Sequence, residues 1–287
     1  MMTGMRPELW WVKLLGIAGV KGNEPDQYGD MYRDLSVAAV IPAYNEAPSI
    51  GQVVSELVRL QHDSIPVFDR VVVCDNASTD QTGPIAADSG AVVVREPLAG
   101  YGRACLKALE AVGDCDVVVF VDGDYSAHAE EIPLLLDECR AGRDLVIGAR
   151  RADLTEPGAL TPHQVLGNRL ASALLSMAWR QPVTDLGPLR AVGVSALAQL
   201  QMADPTYGWT MEMQAKALAM GLSVAEVPVR TRRRIGVSKV SGTVRGTVGA
   251  TWGILSTFAK LAWQHRSSVC RASPAGVASD AGRLRRA

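Results

Sequence analysis

The chain has 287 residues, 48% of them hydrophobic and 21% charged, with a formal net charge of −1. That composition excludes a disordered chain, and the near-neutral balance gives no global reason to expect nucleic acid or an anionic membrane as partner. Five cysteines, an odd number with no CxxC pair, argue against a disulfide framework or a zinc site and for buried thiols in a reducing cytoplasm.

Residues 1–34 read as an N-terminal extension, because regular alternation of elements begins only afterwards. The apolar stretch 9–20 is interrupted by Lys13 and is too short to span a bilayer, so neither a secretory leader nor an anchor is expected. Residues 35–41 (Leu-Ser-Val-Ala-Ala-Val-Ile) form a short apolar run of the buried-strand kind. Ser49-Ile-Gly-Gln52 matches a capping box, and Ile50, Val53, Val54, Leu57 and Leu60 follow at helical spacing. Residues 70–74 give a second strand, and Thr82 reads as the N-cap of a short helix. A third strand at 91–94 precedes a glycine-containing loop and a helix over 103–112. Residues 116–121 form a fourth strand, followed by a helix at 132–139 and a strand at 145–149. The helix predicted over 244–263 carries Val248, Trp252, Leu255, Phe258, Ala259 and Ala262 on one face. Core packing is the expected use of that face, with docking on a membrane surface as its rival. Residues 266–287, rich in Ser, Ala, Gly and Arg, read as a mobile tail.

Short β-branched runs separated by helices predict an α/β fold with a mainly parallel, Rossmann-like sheet covered by helices on both faces. In such sheets ligands bind at the carboxyl ends of the strands. There the sequence places Pro42-Ala-Tyr44-Asn-Glu46, Asp75-Asn-Ala-Ser-Thr-Asp80, Gly100-Tyr-Gly102-Arg103 and Asp122-Gly-Asp124. Four polar tips on one rim outline a site.

Asp122 and Asp124, two residues apart at a strand end, can face one point. Two hard oxygen donors suit Mg²⁺ or Mn²⁺ shared with substrate phosphates, and a polar turn after a buried strand is the alternative. Asp75 is either a contact to a ribose or base or the head of an Asx-turn with Ser78, Thr79 and Asp80. Backbone amides at Gly100–Arg103 could meet a phosphate. This loop is neither G-x-G-x-x-G nor a P-loop, which disfavours dinucleotide-dependent dehydrogenases and P-loop phosphotransferases. The four histidines form no metal-ligand spacing, and His128 reads as a polar residue opening a helix. From 229 to 246 the chain carries Arg230, Arg232, Arg233, Arg234, Lys239 and Arg245 without an acid, either as a solvated basic face or as an anion-binding loop.

These tips, in this order, resemble the inverting family-two glycosyltransferases of the GT-A fold, and most closely their dolichyl- or polyprenyl-phosphate mannosyl- and glucosyltransferase branch. The likeness runs on through Gly148-Ala-Arg150, Leu166-Gly-Asn168-Arg169, Thr184-Asp185-Leu-Gly187 and Arg234-Ile-Gly236-Val-Ser238-Lys239. It implies a catalytic domain over 35–265 that binds a nucleoside-diphosphate sugar. Pro42, Tyr44 and Glu46 would sit against the nucleoside, Asp75 would bind the base or ribose, and Gly102 and Arg103 would belong to the same donor site. Asp122 would contact the donor and Asp124 the metal. Arg234, Ser238 and Lys239 would close over the diphosphate and the acceptor phosphate, where charge develops on the leaving group. Asp185 and Glu212 fall in the acceptor-side stretch. A lipid phosphate needs no general base, whereas a hydroxyl acceptor does, and Asp185 is the first candidate for that role. Relatives often end in transmembrane helices that this sequence lacks, so at most peripheral contact with the cytoplasmic membrane face is expected. A sugar-phosphate nucleotidyltransferase is the rival enzyme class, disfavoured because its first loop should be glycine-rich.

Overall fold

The computed structural model describes residues 35–236 and 244–264, with side chains in the last segment from residue 253 onward. The expected extension 1–34, the tail 266–287, and Ser238 and Lys239 lie outside the described residues.

The first apolar run forms β1 (Val37–Ala43), buried throughout. Its side chains alternate between faces, so Val37, Ala39, Ile41 and Ala43 enter one core while Ala38 and Val40 enter another. Helix α1 (Ile50–Arg59) lays Ile50, Val53, Val54 and Leu57 on the first core. A short ribbon, β2 (Gln61–His62) and β3 (Ile65–Pro66), leads into β4 (Arg70–Asn76), α2 (Thr82–Asp88) and β5 (Val92–Glu96). Helix α3 (Tyr101–Leu109) covers the second core with Ala104, Cys105 and Ala108, and β6 (Val117–Phe120) follows. Next come α4 (Ile132–Arg140), β7 (Leu145–Thr155) and the long α5 (Pro162–Trp179). β8 (Arg190–Gly193), α6 (Val194–Leu200), α7 (Trp209–Met220), β9 (Val224–Thr231) and α8 (Val244–Gln264) complete the order.

The main sheet runs β5-β4-β1-β6-β8-β7-β9. Pairing is parallel from β5 through β6 and between β7 and β9, while β8 lies antiparallel to both β6 and β7. A third core joins α5, α7 and α8 through Leu175, Trp179, Met211, Ala215 and Leu261, with Phe258 edge-on to Trp179 at 6.1 Å. That contact favours core packing for part of α8. Among the described residues no helix is long and apolar enough to cross a membrane.

The α/β layering and the mainly parallel sheet are as expected, with element ends shifted by a few residues. Two local expectations change. Ser49 sits at the N-cap of α1 but makes no capping bond there; its hydroxyl bonds to Glu46 and donates to the carbonyl of Gly123 at 2.8 Å. Turning the hydroxyl to donate to that buried carbonyl aims the side chain toward the β6 tip, away from the amides of the helix start. Thr82 is the first residue of α2, not its cap, and its hydroxyl accepts from the Glu46 amide at 2.8 Å.

Candidate active site

The carboxyl ends of β1, β4 and β6 meet at one rim, and the chain turns sharply beyond each. Asn45, Ala77 and Tyr125 all adopt left-handed backbone, with φ of 52°, 58° and 68°. Such strain in residues with a side chain persists only where surrounding bonds over-determine it. Those bonds are present. The Asn45 amide donates to Ser78 Oγ at 3.0 Å, the Thr79 amide to Asn45 Oδ1 at 2.8 Å, and the Ala47 amide to Asp80 Oδ2 at 3.2 Å. The β4 tip therefore serves as a cradle for the loop holding Tyr44 and Glu46. Asp75 belongs to that cradle: its Oδ1 accepts from the Ser78 amide at 3.1 Å, as the Asx-turn reading requires.

A cleft of about 450 Å³ opens at this rim, lined by Pro42, Tyr44 and Glu46 on one side and by Asp122 and Asp124 on its floor. Asp75, Gly102 and Arg103 are not among its lining residues. The glycine loop acts differently from the phosphate cradle suggested by its sequence. The Gly100 amide donates to Asn76 Oδ1, the Gly102 amide to Thr206 O and the Arg103 amide to Pro205 O, at 2.8, 3.2 and 3.1 Å. A Cβ on Gly102 would lie 1.8 Å from the carbonyl oxygen of Asp204, so glycine is required by backbone-to-backbone contact. The residue between the glycines reaches the site: Tyr101 Oη donates to Asp122 Oδ1 at 3.0 Å.

Burial, and then the like charge of Asp124, push the Asp122 carboxyl up to about 6, against the pull of Arg234, the Tyr101 bond and Arg150. Burial, then Asp122, hold the Tyr101 phenol well above its ordinary range. Asp124 Oδ1 accepts from the Ser126 amide at 3.0 Å, and Oδ2 pairs with Arg234 Nη2 at 3.0 Å. Among the described residues no cluster of three or more His, Cys, Asp or Glu could hold a metal ion. Two hard carboxylates lining an open cleft, mutually repelling and partly countered by the Arg234 and Arg150 guanidinium groups, suit the oxygen-ligand chemistry of Mg²⁺ or Mn²⁺ beside phosphates.

The basic run divides by function. Arg230 pairs with Glu130 and Glu131 on the surface, while the Arg233 backbone amide donates to Glu156 and its Nε to the Pro157 carbonyl. Arg232 stacks 3.5 Å over the Tyr125 ring and bonds to Glu56 and to the Tyr125 and Ala127 carbonyls. The Arg232 amide bonds to Ser126 O and the Ile235 amide to Asp124 O, which zips this segment along the Asp124 tip. Arg234 alone of these four lines the cleft.

Arg150, at the far end of β7's buried part, also faces the cleft. Asp185 accepts its backbone N–H, Nε and Nη2 at 2.7, 2.9 and 2.8 Å and is 1% exposed. The candidate base is therefore a buried clamp with both oxygens engaged. Burial works against the Arg150 charge, and Asp185, then Asp122 and Asp124, outweigh it and raise its pKa. Glu212 is likewise structural, accepting the Ala203 and Asp204 amides and pairing with Lys216 at 2.8 Å. His128 occupies the N-cap position of a turn of 3₁₀ helix, without a capping bond, and meets Glu130 at 3.0 Å, as expected of a polar helix-opening residue. Arg190, fully buried, bonds to Gly187 O, Thr210 O and Gln214, and burial lowers its guanidinium to about 10. Tyr101, Arg150 and Arg190 had no role in the sequence reading. A residue flanked by two glycines and an arginine ending an apolar strand were the available signals.

Residues 38–193 match the family model described as glycosyl transferase family 2. An uncharacterised glycosyltransferase of Mycobacterium tuberculosis is 36% identical over 227 residues, covering 77% of this chain and 98% of the relative. The undecaprenyl-phosphate mannosyltransferase of Micrococcus luteus is 30% identical, over 77% of this chain and 95% of its own. The dolichyl-phosphate hexose transferase of Haloferax volcanii is 31% identical, over 71% and 86%. Among solved structures, glucosyl-3-phosphoglycerate synthase of Mycobacterium tuberculosis, in complex with Mn²⁺, UDP and glucosyl-3-phosphoglycerate, superposes with a TM-score of 0.63. It covers 80% of each chain at 22% identity, a likeness of fold, here the GT-A fold. With the family model spanning more than half the chain and relatives of 30% identity or more along most of its length, the chain belongs to glycosyl transferase family 2.

Proposed function

We propose that the protein transfers a hexose from a nucleoside-diphosphate sugar to a polyprenyl or dolichyl phosphate, with inversion at the anomeric carbon. Tyr44, 41% exposed over the cleft, offers a ring to the base, with Pro42 and Glu46 beside it. Asp75 serves the nucleoside by fixing the loop that carries these residues. Asp122 and Asp124 would hold Mg²⁺ or Mn²⁺, which when bound neutralises the leaving diphosphate. Arg234 and Arg150 supply fixed positive charge to the phosphates of donor and acceptor. The family resemblance adds Ser238 and Lys239 to the Arg234 segment. The bond from the anomeric carbon to the β-phosphate oxygen breaks, and the electron pair leaves with the nucleoside diphosphate. An acceptor phosphate oxygen forms the new bond from the opposite face.

The observation that carries the phosphate acceptor is the state of Asp185. Both its oxygens already accept hydrogen bonds from Arg150 and it does not line the cleft, so an acceptor already anionic at neutral pH fits this cleft best. The relatives named as undecaprenyl- and dolichyl-phosphate transferases support the same class. A hydroxyl acceptor is the second reading, favoured by the fold neighbour solved with phosphoglyceric acid. Release of nucleoside diphosphate from GDP-, UDP- and dTDP-hexoses with Mn²⁺ should depend on polyprenyl phosphate and be absent with the matching polyprenol. Turnover with the polyprenol and none with the phosphate would overturn the proposal.

A further inference from the structure

Helix α5 is apolar on both faces. Its inner side sends Ala171, Leu175 and Trp179 into the third core. Its outer side exposes Leu166, Leu170, Ala173 and Met177, in steps of four, three and four residues that keep them on one stripe. Leu166 is 69% and Met177 71% exposed. A surface helix of a soluble domain ordinarily turns polar residues outward, and a contiguous apolar stripe marks a surface that something covers.

Charge identifies what covers it. Neither α5 nor α8, which packs against it, contains a single Asp or Glu. Arg169 on α5, Arg180 just beyond its end and Lys260 on α8 are exposed cations in a chain whose formal net charge is −1. Exposed apolar residues on helices that carry cations and no acids are the composition that partitions into the headgroup layer of an anionic bilayer. Position adds to composition. Gln164, Gly167 and Asn168 of the same helix line the cleft, so the stripe begins at the cleft wall and runs roughly 16 Å from Leu166 to Met177.

We infer that the outer face of α5 docks on an anionic lipid bilayer and brings the cleft to the membrane surface. The inference rests on the lipid-phosphate reading for its purpose: an acceptor whose chain stays in the hydrocarbon can then place its phosphate between Arg150 and Arg234. It stands apart from that reading in its test, because vesicle binding needs neither donor nor turnover.

The experiment is co-sedimentation of the full chain with vesicles of phosphatidylcholine alone and of phosphatidylcholine mixed with phosphatidylglycerol. The chain should pellet with the anionic vesicles, and the double variant Leu166→Glu with Met177→Glu should lose at least tenfold of that binding. Both positions are exposed and outside the cleft lining, so the variant should keep the wild-type melting temperature and its nucleotide release with a short-chain, water-soluble polyprenyl phosphate. Equal pelleting of variant and wild type would overturn the inference, as would a wild type that stays in the supernatant with anionic vesicles. A wild-type dimer that the variant dissociates, with no vesicle binding, would assign the face to a second copy and also overturn it. Vesicle binding without transfer would retain the docking face and sink the proposed acceptor.

Discussion

Replacing Asp185 with Asn separates a clamp from a base. The wild-type carboxylate is 2% exposed and accepts three hydrogen bonds from Arg150, whose side chain is 20% exposed. Asn keeps the volume but removes the charge, and one of its two polar atoms becomes a donor facing the guanidinium. Removing one partner of a buried ion pair costs roughly 3–5 kcal/mol, because the other charge stays out of water uncompensated. In a domain of this size each kcal/mol moves Tm by about 2–4 °C, so Asp185→Asn should melt roughly 10 °C below wild type. The assay is thermal unfolding by circular dichroism, with Arg150→Met and the double variant completing a cycle. The double variant should lose less than the sum of the singles, since each removes what the other lacks. A wild-type Tm for Asp185→Asn, with turnover abolished, would refute the clamp and restore Asp185 as a proton acceptor.

Three further outcomes follow from the site. Gly102→Ala drives its Cβ against the Asp204 carbonyl, breaking the Gly102 and Arg103 amide bonds, and should cost on the order of 3 kcal/mol; unchanged urea unfolding would contradict the close contact. Asp122 is raised to about 6 from 3.8, so its native charge destabilises the fold above pH 6 and the penalty fades as pH falls toward 4. In chelator, Asp122→Asn should therefore be more stable than wild type at pH 7, by on the order of 1–3 kcal/mol, and should match it near pH 4; a gap that widens on acidification would reverse the sign. Asp124→Ala should abolish transfer, and EDTA should inhibit wild type until Mn²⁺ is restored. Full activity in EDTA would remove the metal from the mechanism.

The central strands were legible because burial on both faces leaves an unbroken apolar run, as in Val71–Val72–Val73–Cys74, which solvent-exposed chain does not maintain. β8 was not legible. Its four residues begin with Arg190, whose charge reads as surface until the carbonyls of Gly187 and Thr210 are brought around it. The Ser49 pattern fits a capping box locally, but Gly123, far along the chain, takes its hydroxyl. The basic run shows the same limit. Sequence counts its charges, yet only the packing of Glu56, Glu130 and Glu131 decides that Arg230 and Arg232 are neutralised locally while Arg234 reaches the cleft.

The sequence by itself determined the α/β alternation, the four polar tips and the pair Asp122 and Asp124, since each follows from burial period and residue type over a few positions. Only the tertiary structure decided that Gly100 and Gly102 serve a backbone crossing, that Asp185 clamps Arg150, and that Tyr101 holds Asp122. Those roles depend on groups brought together from distant parts of the chain, where the scarcity of water makes every buried donor, acceptor and charge seek a partner regardless of separation in sequence.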